Sequence, residues 1–264
     1  MREVDGPPGA PTLLLLHGWT ATADLNWYTS YESLGRAFRV VALDHRGHGR
    51  GLRSRRPFRL TDCAEDAAAL VGVLGTGPVI AVGYSMGGPI AQLLWRRHPE
   101  LVNGLVLCAT SRTFASRPGE RMRLRGLAAA SLATRALPRQ FTAEAIARAF
   151  DARRGAGPTE GWASDQLRRN NWTAILEAGG SLGRFDSRPW IGEVDVPAAV
   201  VATMNDELVA PARQLALARS IPGARVFPVQ GDHAVCVTHP KRFVPALLEA
   251  CQDVAARTAL TQPR

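Results

Sequence analysis

The sequence predicts an α/β fold: a mostly parallel, doubly wound sheet with helices on both faces and one helical insertion. Three observations predict it. Apolar runs of strand length alternate with helix-like stretches, the pattern of a parallel sheet covered on both sides. Residues that carry chemistry follow the ends of these runs, where open α/β sheets place their sites. The alternation breaks once, between Ser111 and Val196, in an Ala- and Arg-rich stretch with helical patterning.

Taken in order, Thr12 to Leu16 is an apolar strand that ends in His17-Gly18-Trp19. A helix is expected near 28–37. Val40-Val41-Ala42-Leu43 continues a strand near 39–43 and leads into Asp44-His45-Arg46-Gly47-His48-Gly49. A helix near 62–74 precedes the strand near 78–83, which runs into Gly83-Tyr84-Ser85-Met86-Gly87 and a helix near 86–97. A strand near 104–109 closes the first half. The broken region carries helical segments near 120–135, 142–153, 162–168 and 172–183, punctuated by Pro118, Pro138 and Pro158. Alternation resumes with strands near 198–203 and 224–229 and helices near 211–220 and 240–256.

The chemistry centres on Ser85. A serine on a sharp strand-to-helix turn presents its hydroxyl above the sheet, and Gly83, Gly87 and Gly88 leave room for strand and helix to approach. A serine hydroxyl needs a base, and the base needs an orienting carboxylate. Asp206 lies just past the strand that ends at Thr203, and His233 lies at the matching position one strand on. Glu207, Asp232 and His239 are weaker rivals: a neighbouring carboxylate, a turn former and a residue before Pro240 that opens the last helix. A developing oxyanion needs donors. The backbone N–H groups of Trp19, after the first apolar strand, and Met86, after the nucleophile, are the candidates. His17 reads as a structural residue that holds its loop. Asp44, His45 and His48 lack a fourth ligand for a metal site, so no metal and no cofactor is expected.

With these motifs in this order, the chain resembles the α/β-hydrolase family over almost its whole length. The resemblance rests on His17-Gly18-Trp19, Asp44 to Gly49, the Gly83 to Gly88 elbow, Asp206 with Val209 and Pro211 behind it, and His233 followed by Pro240. It implies a core built from 1–110 and 197–264 with a helical cap over 111–196. It also implies that the Asp44 to Gly49 loop shapes a turn and takes no catalytic part. Phe141, Trp162 and Trp172 are the candidate pocket residues in the cap, which is expected to select substrate and leave the chemistry to the core. The family usually begins with an antiparallel hairpin. Here Arg2-Glu3-Val4-Asp5 resembles the tail of its second strand, with the first strand missing.

The implied activity is a serine hydrolase that cleaves a small or medium carboxylic ester through an acyl-enzyme. Ser at position 85 argues against the relatives that use Asp there, the epoxide hydrolases and haloalkane dehalogenases. Enol-lactone, C–C bond and thioester hydrolysis use the same triad and stay open, as does a non-catalytic binding protein on the same scaffold.

Bulk properties fit this reading. Hydrophobic residues make up 46% and charged residues 21%, the balance of a globular domain. The net charge of +9 comes almost entirely from arginine, and the cluster Arg46, Arg50, Arg53, Arg55 and Arg56 reads as one solvated loop, so no nucleic-acid partner is expected. Cys63, Cys108, Cys236 and Cys251 form no Cys-x-x-Cys pair; Cys108 in an apolar strand and Cys251 in a helix pattern suit buried free thiols, and a reducing, cytoplasmic compartment is expected. No run approaches the roughly 18 apolar residues of a membrane span. The expected partner is a small acyl substrate.

Overall fold

A computed structural model describes residues 1–115, 118–136 and 160–261. Seven strands form one sheet: β1 (Arg2–Val4), β2 (Thr12–Leu16), β3 (Arg39–Leu43), β4 (Val79–Tyr84), β5 (Val102–Cys108), β6 (Ala198–Thr203) and β7 (Arg225–Val229). Their spatial order is β1-β3-β2-β4-β5-β6-β7. All pairs are parallel except β1 with β3, where Arg2 faces Ala42 and Val4 faces Val40. Residues 2–4 are thus an antiparallel edge strand.

The strands read as near-continuous apolar runs because both faces are covered. Successive side chains point to opposite faces. Leu14, Leu16, Val41 and Ala81 enter one core, with α3 (Leu60–Leu74), α4 (Gly87–Arg97) and α8 (Pro211–Ser220) packed over it. Leu13, Leu15, Val40 and Val82 enter the other, against α1 (Ala23–Trp27), α2 (Tyr31–Gly35) and α10 (Pro240–Thr261). Trp27 and Phe243 are fully buried anchors of that second core.

The expected single helix at 28–37 is instead two short helices, α1 and α2. Thr22 starts α1 early, since its hydroxyl accepts the Leu25 N–H as an N-cap. Thr29 then leaves the helical ladder, and its hydroxyl donates to the Cys236 carbonyl. In the arginine loop Arg50, Arg53, Arg55 and Arg56 are exposed, as expected, and only Arg46 is drawn in. Arg46 makes a bidentate pair with Asp66 and a further bond to Asp62, while Arg50 reaches Asp24.

Between β5 and β6 the described residues form α5 (Pro118–Ala136), α6 (Glu160–Arg168) and α7 (Trp172–Leu182). A bridge between Thr113 and Asp186 closes the base of this excursion. Phe141 and the helix expected near 142–153 lie outside the described residues. A short α9 (Val235–Thr238) precedes α10. Among the described residues no helix is long and apolar enough to cross a membrane. The four cysteines are buried and free.

The strand order reverses direction at β2. From β2 the chain goes outward to β3 and then returns to β4 on the other side. Parallel strands that diverge in this way leave a crevice at their carboxyl ends. The loops after β2 and β4 meet there, which places residues 17–20 beside residues 85–87.

Candidate active site

Ser85 sits at the end of β4 with φ +50, a left-handed conformation that costs a non-glycine residue about 1–2 kcal/mol. Its surroundings hold it there. The Ser85 N–H donates to the Cys108 carbonyl at 2.9 Å, and the Thr110 hydroxyl donates to the Ser85 carbonyl at 2.7 Å. The flanking glycines are sterically required. A Cβ on Gly83 would lie 2.3 Å from the Gly87 carbonyl oxygen, and one on Gly87 would lie 2.0 Å from that of Leu16. The elbow therefore locks against β2 and its own helix.

His233 lies in the loop after β7, with its Nε2 2.9 Å from Ser85 Oγ. Its Nδ1 is 2.7 Å from Asp206 Oδ2. A carboxylate only accepts, so the proton sits on Nδ1 and donates to Asp206. Nε2 is then bare and accepts the Ser85 hydroxyl proton. Asp206, at the end of β6, is almost fully buried. Its Oδ1 accepts the backbone N–H groups of Leu208 and Val209, both at 2.9 Å, and its Oδ2 accepts the Thr203 hydroxyl at 2.8 Å. Burial pushes the carboxyl pKa up, but the hydrogen bond and electrostatic attraction of the His233 ring, with the Val209 N–H and the Thr203 hydroxyl, outweigh it and hold the pKa below the usual value. Asp206 therefore stays ionised through the neutral range.

Sequence reasoning missed three supports of this relay. Gln214 is fully buried, and its amide donates to the Thr203 hydroxyl at 2.7 Å and to the Val209 carbonyl at 2.7 Å. A polar residue on the inward stripe formed with Leu217, Ala218 and Ile221 was the available signal. Tyr84, beside Ser85, donates its hydroxyl to the His233 carbonyl at 2.8 Å, which ties the elbow to the histidine loop. Asn26 accepts the Gly18 N–H at 2.8 Å and fixes the loop after β2. Neither Tyr84 nor Asn26 carries a local sequence signal, because each partner is remote in the chain.

The loop after β2 lies against Ser85: a Cβ on Gly18 would be 3.4 Å from the Ser85 Cβ. Trp19 and Met86 both flank this contact. Trp162 is about one-third exposed and meets the Tyr28 ring edge-on at 5.2 Å, whereas Trp172 is buried at the start of α7. Glu207 is exposed, and Asp232 accepts the Ala234 N–H as a turn residue.

The alpha/beta hydrolase fold family matches residues 11–240, which include every element of this arrangement. The chain belongs to the α/β hydrolase family. RutD of Agrobacterium fabrum, whose proposed reaction is carbamate hydrolysis, is 29% identical, over 91% of this chain and 92% of that one. The pimeloyl-[acyl-carrier protein] methyl ester esterase of Chromobacterium violaceum is 28% identical, over 93% of this chain and 96% of its own. The crystal structure of a hydrolase from Pseudomonas aeruginosa superposes with a TM-score of 0.79 at 27% identity, covering 95% of this chain and 92% of that chain. These three relatives are themselves named hydrolases or esterases.

Behind the loop after β2 lies a fully buried trio of His17, His45 and His48. The His17 ring centroid is 4.3 Å from that of His45 and 5.1 Å from that of His48. His17 Nδ1–H donates to the Gly18 carbonyl, so its Nε2 accepts the His45 backbone N–H at 2.9 Å. That bond joins the loops after β2 and β3, the holding role expected of His17. Burial lowers the pKa of all three, that of His48 to about 3. The unfolded chain, where histidine titrates near about 6.5, therefore binds more protons than the native state below that pH. Stability is expected to fall as pH drops from about 6.5 towards 3. His48→Asn should flatten this slope by up to about 1.4 kcal/mol per pH unit, the value for one proton. Urea unfolding of both proteins between pH 7 and 4.5 checks it, and parallel curves would exclude His48 as a contributor.

Proposed function

We propose that this chain is a serine hydrolase that cleaves a small or medium carboxylic ester through an acyl-enzyme. The observation that carries the reading is the continuous hydrogen-bond relay from Ser85 Oγ to His233 Nε2 at 2.9 Å and from His233 Nδ1 to Asp206 at 2.7 Å. His233 takes the Ser85 proton as Oγ attacks the substrate carbonyl. The imidazolium that forms is stabilised by the buried Asp206 carboxylate. The backbone N–H groups of Trp19 and Met86 receive the oxyanion, and losing one such donor costs other enzymes about 3–4 kcal/mol. His233 then gives its proton to the leaving alcohol. It next activates a water that releases the acyl group and restores Ser85.

Residues 111–196 serve as a lid that shapes the acyl pocket, with Trp162 as a candidate lining residue. The four buried thiols support a reducing, cytoplasmic setting. A second reading, carbamate hydrolysis, draws on the similarity to RutD and needs only the same relay acting on a carbonyl that bears nitrogen. The test is turnover of p-nitrophenyl esters of increasing chain length beside an aryl carbamate, an enol-lactone and an acyl thioester. Reaction with a fluorophosphonate, with the adduct mapped to Ser85, is expected. Absence of both turnover and adduct in the folded protein would refute the reading.

A further inference from the structure

We infer that Asn170, carried by the lid segment between α6 and α7, is a positioning residue for the oxyanion hole. The residue is buried, and its amide bridges two core loops. Its Nδ2 donates to the Thr20 carbonyl at 2.8 Å, and its Oδ1 accepts the Gly49 N–H at 2.8 Å. A carbonyl on one side and an N–H on the other fix which end of the amide faces which loop.

Thr20 is the residue that needs holding. It directly follows Trp19 and has φ +66. A β-branched side chain disfavours that left-handed backbone, so the loop relaxes unless its neighbours restrain it. The restraints on residues 19–22 come largely from the lid. The Trp19 indole N–H donates to the Ile175 carbonyl at 2.8 Å. The Thr22 hydroxyl lies 3.2 Å from Gln166 Oε1. Among the described residues Asn170 alone bonds the Thr20 carbonyl, two peptide units beyond the one that carries the Trp19 N–H. Nearby, the Asn171 N–H donates to the Gly47 carbonyl at 2.8 Å, so this turn is seated on both loops.

The inference rests on Trp19 acting as an oxyanion donor. On that basis the lid does more than select substrate: it holds one donor of the transition state in place. A peptide free to relax out of the left-handed region would swing the Trp19 N–H away from the developing charge. Ground-state binding, which does not use that donor fully, would change less.

The test is steady-state ester hydrolysis by Asn170→Ala, Asn170→Asp and each of these combined with Thr20→Gly, with thermal melting of every protein. Asn170→Ala is expected to lower kcat about 10- to 100-fold with KM within about 3-fold. Glycine adopts a positive φ without steric cost. Thr20→Gly should therefore return at least about 5-fold of the lost kcat in the Asn170→Ala background. A residue that merely stabilises the lid would show no such rescue. Asn170→Asp keeps the acceptor for Gly49 and removes the donor to Thr20, so the same comparison applies if the alanine variant does not fold. An unchanged kcat in the folded single variants, or no rescue in folded double variants, overturns the inference. Ser85→Ala is run alongside. Activity lost there but unaffected by Asn170 defeats this inference alone, whereas activity retained in Ser85→Ala defeats the triad reading itself.

Discussion

Ser85→Ala is expected to lower ester turnover by about five to six decades, the scale seen when such a nucleophile is removed elsewhere. In the proposed mechanism the hydroxyl forms the acyl-enzyme, and it is the group 2.9 Å from His233 Nε2. The fold should survive. Ser85 keeps its backbone bonds to Cys108 and Thr110 in the variant, and alanine meets the same φ +50 penalty as serine. Only one side-chain hydrogen bond is lost, worth about 1 kcal/mol, which shifts melting of a chain this long by about 2–4 °C. Hydrolysis of a p-nitrophenyl ester, fluorophosphonate labelling and thermal melting are the measurements. Turnover within tenfold of the unmodified protein, with melting lowered by no more than that shift, would show that another group attacks the substrate.

Asp206→Asn is expected to lower kcat by about four decades, while Glu207→Gln stays within about threefold. Local geometry decides this. Asp206 Oδ1 is pinned by the N–H groups of Leu208 and Val209, so an asparagine would place its oxygen there and its NH2 towards His233. That NH2 donates, so His233 Nδ1 would have to accept and the ring proton would move to Nε2. A protonated Nε2 cannot take the Ser85 proton. Glu207 is exposed and lies outside the relay. Assaying both variants from pH 6 to 9 separates the cases. Equal losses, or a larger loss at Glu207, would mean that the orienting acid has been misassigned.

The sheet was legible because its physics is local and periodic. Runs such as Leu13 to Leu16 and Val79 to Val82 are apolar on both faces, which only a doubly covered strand tolerates. The candidates Ser85, Asp206 and His233 were legible because each follows the end of such a run, and parallel strands bring those ends to one edge. The helix expected at 28–37 was not legible in its true form. Its break depends on the Thr29 bond to Cys236, more than two hundred residues away. Arg46 departed from the solvated loop for a related reason: its acidic partners lie on α3, and charge composition carries no information about which residues face one another.

The kind of fold, the strand-to-helix elbow at Ser85 and the order of the three candidate residues follow from the chain's own pattern. Apolar periodicity and glycine at a crowded turn act over a few residues. Tertiary structure alone decides that β2 and β4 are neighbours, which sets the loop of Trp19 against Ser85. It also decides that Thr203, itself held by Gln214, donates to Asp206, that Tyr84 anchors the His233 loop and that Asn170, between α6 and α7, grips the strained Thr20. These are hydrogen bonds between groups whose separation along the chain has no bearing on their separation in space. A buried polar atom must find a partner, and only the assembled core determines which one lies within reach.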